Sequence, residues 1–390
     1  MIVMLDSTWR KMTITQSMFY RDLIKTILEN HSNWYQTDNW DTARFGKLWF
    51  GKRTFLERIF IALNLLLRRF GYFVNATDNL SLNIDSVVLP HGEGLSNTYS
   101  MLADEYSKRA LVEVLAYRIL GYRHMKLWTN TSEYWRARAI ADSLPTQGVK
   151  IDSGIDILRL SKTDLNPIGY PITIFTHPLA ITHQFLLKQY AYEQSNPPIW
   201  LCKGEYVIDA GAAWGDTALR FAHEVGERGR IYSFEFEPKN LEILKKNLEL
   251  NSRLASRITV VKRALWKDSS TTLSYVYRGS ASSVFKGVNG PKENQVSSVS
   301  IDNLAESLAR VDFIKMDIEG AELPALQGAE QTIRKHRPKL AISLYHRLSD
   351  FVDIPAYIAS LGLDYYYYID HGTIHTEETV LFAAPRTRID

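Results

Sequence analysis

Cysteine is almost absent from this chain: among 390 residues there is one, Cys202. An internal disulfide is excluded, which fits a reducing compartment and sets the expectation of a cytoplasmic protein. Charge of one sign is lacking too. Forty-six Lys and Arg stand against 43 Asp and Glu, a formal +3. That balance argues against a partner such as nucleic acid or a membrane surface. Long apolar runs are missing, since the longest, residues 59–67, falls well short of the roughly 20 that span a bilayer. Thr54 and Glu57 ahead of it make a capping box, and Arg68, Arg69 and Gly71 close it as helices end. The run therefore reads as a buried helix rather than a membrane-surface one. Residues 1–30 hold no basic stretch followed by an apolar one, so no signal peptide is expected. Without one, the Asn-x-Ser/Thr patterns at Asn75, Asn79 and Asn130 read as chance matches.

Apolar residues make up 45% of the chain, enough for a real core, and the length favours two structural units. Residues 1–150 read as mainly helical and rich in aromatics. A helix over 104–121 sets Leu111, Val114, Leu115 and Ile119 on one face and ends at Gly121. Residues 151–198 read as a hairpin, a helix and a linker. Runs 155–160 and 171–175 alternate at period two around Asn166-Pro167-Ile168-Gly169. Residues 179–192 return to helical spacing, and Ser195-Asn196-Pro197-Pro198 is the linker. From 199 to 390 the rhythm becomes strand, helix, strand, helix. Strands fall at 206–209, 230–235, 258–262, 313–317 and 340–345, with helices at 216–225 and 241–250. This predicts an α/β fold with a mainly parallel sheet covered on both faces, whose ligands bind beyond the carboxyl ends of the strands. The tyrosine tetrad 365–368, read as strand, turns two rings to the core and two to the other side.

Acids collect at those strand ends. Asp209 opens the stretch Ala210-Gly211-Ala212-Ala213-Trp214-Gly215-Asp216-Thr217. Gly211 and Gly215 let the turn pass close beneath a ligand, and the helix that follows offers free N–H groups to an anion. A nicotinamide-type G-x-G-x-x-G is excluded, because Ala213 and Asp216 occupy its second and third glycine positions. Asp209 either contacts a cofactor amino group or braces the turn. Glu235, about 20 residues on, suits a pair of ribose hydroxyls. Glu237 is its rival, and Glu235 is favoured because it comes first after the apolar run, ahead of Pro238. Ala264 and Leu265, after the third strand, form either an apolar wall for an adenine or ordinary core. The end of the fourth strand, 313–317, carries Asp317, with Glu319 and Glu322 just after it. The last two are spaced i, i+3 and are read as sharing a helix face. His346 and His371 follow later strands, each a general base, a metal ligand beside Asp317, or a hydrogen-bonded loop residue. Residues 279–283 read as a polar loop over the cofactor or a plain surface turn.

Four segments, "VIDAGAAWGDTALRFA", "YSFEFEP", "FIKMDIEGAE" and "EETVLFA", together resemble the FkbM-type methyltransferases, class I enzymes that use S-adenosylmethionine. The resemblance is strong over residues 204–384. It extends more weakly to "ADEYSKRALVEVLAYRILG", similar to the helical lead-in of many members. It implies a Rossmann-like doubly wound sheet of seven strands, the last antiparallel, with a mainly helical N-terminal domain that caps the site, contacts the acceptor or pairs subunits in a homo-oligomer. It implies that Asp209, Gly211 and Gly215, with Ala212, Asp216 and Thr217, and Glu235 hold the cofactor. Asp317 then faces the transferable methyl, with His346 and His371 as further catalytic candidates. Asp317 acts as base, or holds with Glu319 a divalent cation such as Mg²⁺ that lowers the hydroxyl pKa. The acceptor class it implies is a hydroxyl of a glycan or small natural product. The alternative is an idle fold serving as a binding or assembly module.

Overall fold

The computed structural model describes residues 17–35, 37–42, 90–154, 158–286 and 294–386. The helix expected at 59–67 and the patterns at Asn75 and Asn79 lie outside them. The chain forms two compact units, one of residues 1–92 and 112–128, the other of 93–111 and 129–390, so the units do not part at residue 150. In the first, α1 (Met18–Asn30) buries Phe19, Tyr20 and Leu23. The Asn39 carboxamide donates to the Tyr122 and Met125 carbonyls, each at 2.7 Å. Helix α2 (Glu105–Leu120) occupies the segment expected at 104–121, and Leu111, Val114, Leu115 and Ile119 are all buried.

The second unit begins its sheets with an antiparallel trio, β1 (Thr146–Asp152), β2 (Arg159–Asp164) and β3 (Thr173–Thr176). The expected hairpin is the pair β2–β3, in register Asp164 to Thr173. Strand β1 has no counterpart in the sequence reading. Most of its side chains face water, so the alternation that marks a half-buried strand is missing. The helix expected at 179–192 is a π-helical turn, Ile181–Leu186, ended by Lys188 at φ +52°.

Next come β4 (Tyr206–Ala210), α3 (Asp216–Val225), β5 (Arg230–Phe234), α4 (Pro238–Leu250) and β6 (Ile258–Val261). Short strands β7 (Ala264–Leu265), β8 (Thr272–Val276), β9 (Ser283–Phe285) and β10 (Gln295–Val299) form a separate four-stranded sheet. The chain then runs through β11 (Phe313–Met316), α5 (Glu322–Gln327), α6 (Glu330–His336), β12 (Lys339–Ser343), α7 (Asp350–Ser360), β13 (Tyr365–His371) and β14 (Thr379–Pro385).

Seven strands join in the order β13-β14-β12-β11-β4-β5-β6, with β14 antiparallel to both neighbours. Every residue of β11 and β12 is buried, as expected of parallel strands covered on both faces. From β4 the chain builds outward through β5 and β6, then returns to place β11 and β12 on the other flank. The order therefore reverses between β4 and β11, where open α/β sheets leave a crevice at the strands' carboxyl ends. In β13, Tyr366 is half-exposed beneath the Arg386 guanidinium, 4.7 Å from the ring centre, while Tyr365, Tyr367 and Tyr368 are buried. Among the described residues no helix is long and apolar enough to cross a membrane.

Candidate active site

The crevice is walled first by the turn after β4. Gly211 (φ +83°), Ala213 (φ +42°) and Gly215 (φ +86°) all take left-handed conformations, which costs Ala213 about 1–2 kcal/mol. A Cβ at Gly211 would lie 1.9 Å from the Asp317 carbonyl oxygen, and one at Gly215 would press on Leu244 at 3.3 Å. The space these glycines leave is thus taken by protein. The amides of Gly211 and Ala212 both donate to the Phe234 carbonyl, at 3.2 and 2.9 Å, which pins the turn to the end of β5.

Asp209 is fully buried beside Lys315, Oδ1 to Nζ 3.3 Å. The same ammonium donates to the Ala210 and Gly211 carbonyls at 3.0 and 2.6 Å. Thr217 Oγ1 reaches both Asp209 oxygens and Ser233 Oγ one of them, each at 3.1 Å. Burial pushes the Asp209 carboxyl up against the pull of Lys315, Thr217 and Ser233. Neither Asp209 nor Thr217 lines the crevice, nor do Ala212, Gly215 and Asp216. Of the two roles open to Asp209, bracing fits its partners, although the brace runs through a buried lysine rather than backbone N–H groups. Asp216 begins α3 and is driven up to about 6 by burial.

The two acids after β5 separate cleanly. Glu237 caps α4, its Oε2 accepting from the Asn240 amide at 2.7 Å. Glu235 lines the crevice. Its Oε1 accepts from the amides of Phe236 and Glu237 at 2.7 and 2.8 Å, while Oε2 has only a 3.4 Å contact with Asn240 Nδ2. Burial drives Glu235 up to about 7, although those amides work the other way. The cleft continues along Phe234, Ala264, Leu265 and Val284, and Ser280 and Ser282 also line it. The loop holding these serines is tied down, its Gly279 carbonyl accepting from Asn240 Nδ2 and Ser282 Oγ at 3.0 and 2.7 Å.

At the other end stands Asp317, with Glu319 beside it in the wall. Tyr190 donates to Asp317 Oδ2 at 2.6 Å, and Tyr345 to both oxygens at 3.0 and 3.2 Å. Burial would raise this carboxyl, but His346, Lys315 and the two tyrosines together hold it below the usual range. Both tyrosines are pushed well up, by burial first and then by the Asp317 charge.

Glu319 and Glu322 do not share a helix face. Glu319 (φ +56°) and Gly320 (φ +91°) are left-handed, so the helix begins only at Glu322. The two acids instead approach His346 from different ring atoms. Nδ1 lies 3.1 Å from Glu322 Oε1, and Nε2 lies 3.4 Å from both Asp317 Oδ1 and Glu319 Oε2. Burial disfavours a charged ring here, but Glu319, Glu322 and Asp317 raise it to about 11. His346 is thus next to Asp317, one step removed from the cleft wall. His371 is elsewhere: its Nδ1 lies 2.8 Å from Thr379 Oγ1 and its Nε2 3.4 Å from Thr373 Oγ1, within the β13–β14 pair.

Four residues of the site went unread in the sequence: Lys315, Asn240, Tyr190 and Tyr345. Lys315 carried a signal, a cation in the middle of an apolar strand, which must pair to be buried. Tyr190 carried none, because its position depends on the irregular backbone before it.

Residues 209–365 match the family described as the methyltransferase FkbM domain, the family that the four sequence segments resemble. No curated protein matches the chain. Among solved structures it is similar to methyltransferase FkbM from Methylobacillus flagellatus KT, at 21% identity and a TM-score of 0.49, over 77% of this chain and 60% of that one. The chain therefore spans under two thirds of that protein's length. It is also similar to Aeropyrum pernix fibrillarin in complex with S-adenosyl-L-methionine, at 16% identity and a TM-score of 0.32, over 48% of this chain and 69% of that one. A putative O-methyltransferase from Klebsiella pneumoniae matches at 12% identity and a TM-score of 0.32, over 65% of this chain and 90% of that one.

Proposed function

We propose that the chain is an S-adenosylmethionine-dependent methyltransferase acting on a hydroxyl oxygen of a small-molecule or glycan acceptor. One observation carries the reading: Gly211, Glu235 and Asp317, from the ends of three adjacent strands, line a single cleft. The cleft's residues fit a nucleoside with an amino-acid tail. Phe234, Ala264 and Leu265 offer an apolar wall to a base. Glu235 keeps one oxygen with a single long contact, ready to accept from ribose hydroxyls.

S-adenosylmethionine supplies an electrophilic sulfonium methyl when bound. What remains for the protein is to align an acceptor oxygen and remove its proton. Asp317 is ionised and held by two tyrosine hydroxyls, which makes it a weak base with a fixed direction. Such a carboxylate orients an acceptor hydroxyl by accepting its hydrogen bond. It takes the proton late, as the oxygen becomes more acidic on forming its new bond. Tyr190 and Tyr345 stay protonated and serve to position Asp317.

Calorimetric titration of the intact, folded protein with S-adenosylhomocysteine tests the cofactor. Heat with one-to-one stoichiometry is expected, and its absence would overturn the reading. Labelled S-adenosylmethionine with extracts fractionated by chemistry then identifies the acceptor. Loss of transfer in Asp317→Ala, with analogue binding intact, separates an enzyme from a binding module.

A further inference from the structure

The turn after β11 carries more carboxylate than it neutralises. Asp317, Glu319 and Glu322 crowd His346, and Asp350 is close enough for Glu322 to raise its carboxyl further, beyond the effect of burial. The nearest lysine, Lys315, is engaged with Asp209, and the Arg347 guanidinium lies against Gly320. Two polar side chains here are also incompletely satisfied. Glu322 is fully buried, and its Oε1 accepts from the Ile318 amide at 2.8 Å, yet Oε2 has no hydrogen-bond partner. Neither nitrogen of the His346 ring, whose side chain is 8% exposed, makes an aligned hydrogen bond. Burying an oxygen such as Glu322 Oε2 unpartnered costs about 1–3 kcal/mol, so a missing partner is the economical explanation.

Asp317, Glu322 and His346 each bring a donor atom within 4.8 Å of the other two, the group of this kind among the described residues. We propose that these three side chains form a divalent-cation site. An imidazole with two carboxylates is a donor set for ions of the Mn²⁺ to Zn²⁺ series rather than for Mg²⁺, which favours oxygen ligands and keeps its waters. Ligand atoms around such an ion sit roughly 3 Å apart at bond lengths of about 2.1 Å. An ion takes one nitrogen of the ring, so one carboxylate already stands at that spacing, Glu322 at 3.1 Å from Nδ1 or Asp317 at 3.4 Å from Nε2, and the other closes in from within 4.8 Å. Glu319, the partner for Asp317 expected from the sequence, is not one of the three; Glu322 takes its place. Asp317 both belongs to the site and faces the cleft, so an ion held there would fix that carboxylate without occupying the cofactor's space.

The site can be tested without cofactor or acceptor, so its failure and the failure of methyl transfer are distinguishable. The full chain, stripped with chelator and dialysed, is titrated with MnCl₂ at neutral pH while free Mn²⁺ is followed by electron paramagnetic resonance. One ion per chain with a dissociation constant of about 1–100 μM is expected, and Glu322→Gln or His346→Ala should weaken it at least about tenfold. Pulsed spectra of the wild-type complex, which need no variant to fold, should show coupling to a directly bound imidazole nitrogen. Absence of stoichiometric binding of both Mn²⁺ and Zn²⁺ up to about 1 mM, binding unchanged in folded variants, or no nitrogen coupling would each overturn the site.

Discussion

Asp209 and Asp317 invite comparison, because β4 and β11 lie side by side and each delivers an acid near its carboxyl end. Asp209 is fully buried and Asp317 only partly so; both feel Lys315, yet their carboxyls move in opposite directions, Asp209 up and Asp317 down. The difference lies in what surrounds them. Asp209 sits within the strand, opposite Lys315 in register, and spends its oxygens on Lys315, Thr217 and Ser233. Asp317 lies one residue past its strand, where the chain has left the sheet. There it gains two phenol hydroxyls and a histidine while keeping a face to the cleft. A shift of two registers along adjacent strands separates an acid enclosed by the scaffold from one that lines the cleft.

The sharpest way to break this contrast is to exchange each acid. Asp317→Asn should lower methyl transfer about 10²–10⁴-fold, measured with labelled cofactor, while S-adenosylhomocysteine affinity changes little. Asp209→Ala should do the reverse in kind. It leaves Lys315 buried without its carboxylate, which should cost about 3–5 kcal/mol in denaturant unfolding. If Asp209→Ala left stability intact, the bracing role would be wrong.

Next in size is Gly211→Ala. The added methyl meets the Asp317 carbonyl, and forcing the two turns apart should cost about 1–3 kcal/mol of stability together with cofactor affinity. Glu235→Gln should weaken S-adenosylhomocysteine binding about tenfold or more, the loss of a hydrogen bond to a charged group. By contrast, Glu237→Ala should cost only about 0.5–2 kcal/mol as a lost cap and leave titration heats unchanged.

The smallest expected effect is on pH. Glu235 titrates near 7 in the fold, above the ordinary 4.5. Its contribution to stability is therefore present at acid pH and lost as pH rises through about 7. Ribose hydroxyls need the ionised form, so analogue affinity should rise over the same interval, with proton release seen as a buffer-dependent calorimetric heat. A flat affinity between about pH 6 and pH 8 would remove Glu235 from the ribose role.

Legibility in the sequence followed the same divide between regular and irregular backbone. Largely apolar strands, such as Phe313–Met316 with its one lysine, announced themselves, and so did the acids at their ends. Glu319 was misplaced because spacing alone implied an unbroken helix, whereas two left-handed residues delay it to Glu322. Tyr190 was out of reach for a like reason, lying just past a π-helical turn and a left-handed Lys188. Edge strand β1 gave no alternation to read. The rivalry of Glu235 and Glu237 was a question of direction, and only the helix start at Pro238 decided which of them became the cap.

The missing side chain of Gly211 has one more effect. The Asp317 carbonyl occupies that vacancy, with the Ile318 side chain beside it, so the turn after β4 and the turn that bears Asp317 abut directly. Neither can be nudged without displacing the other. A displacement at either turn is therefore carried to the far end of the same cleft.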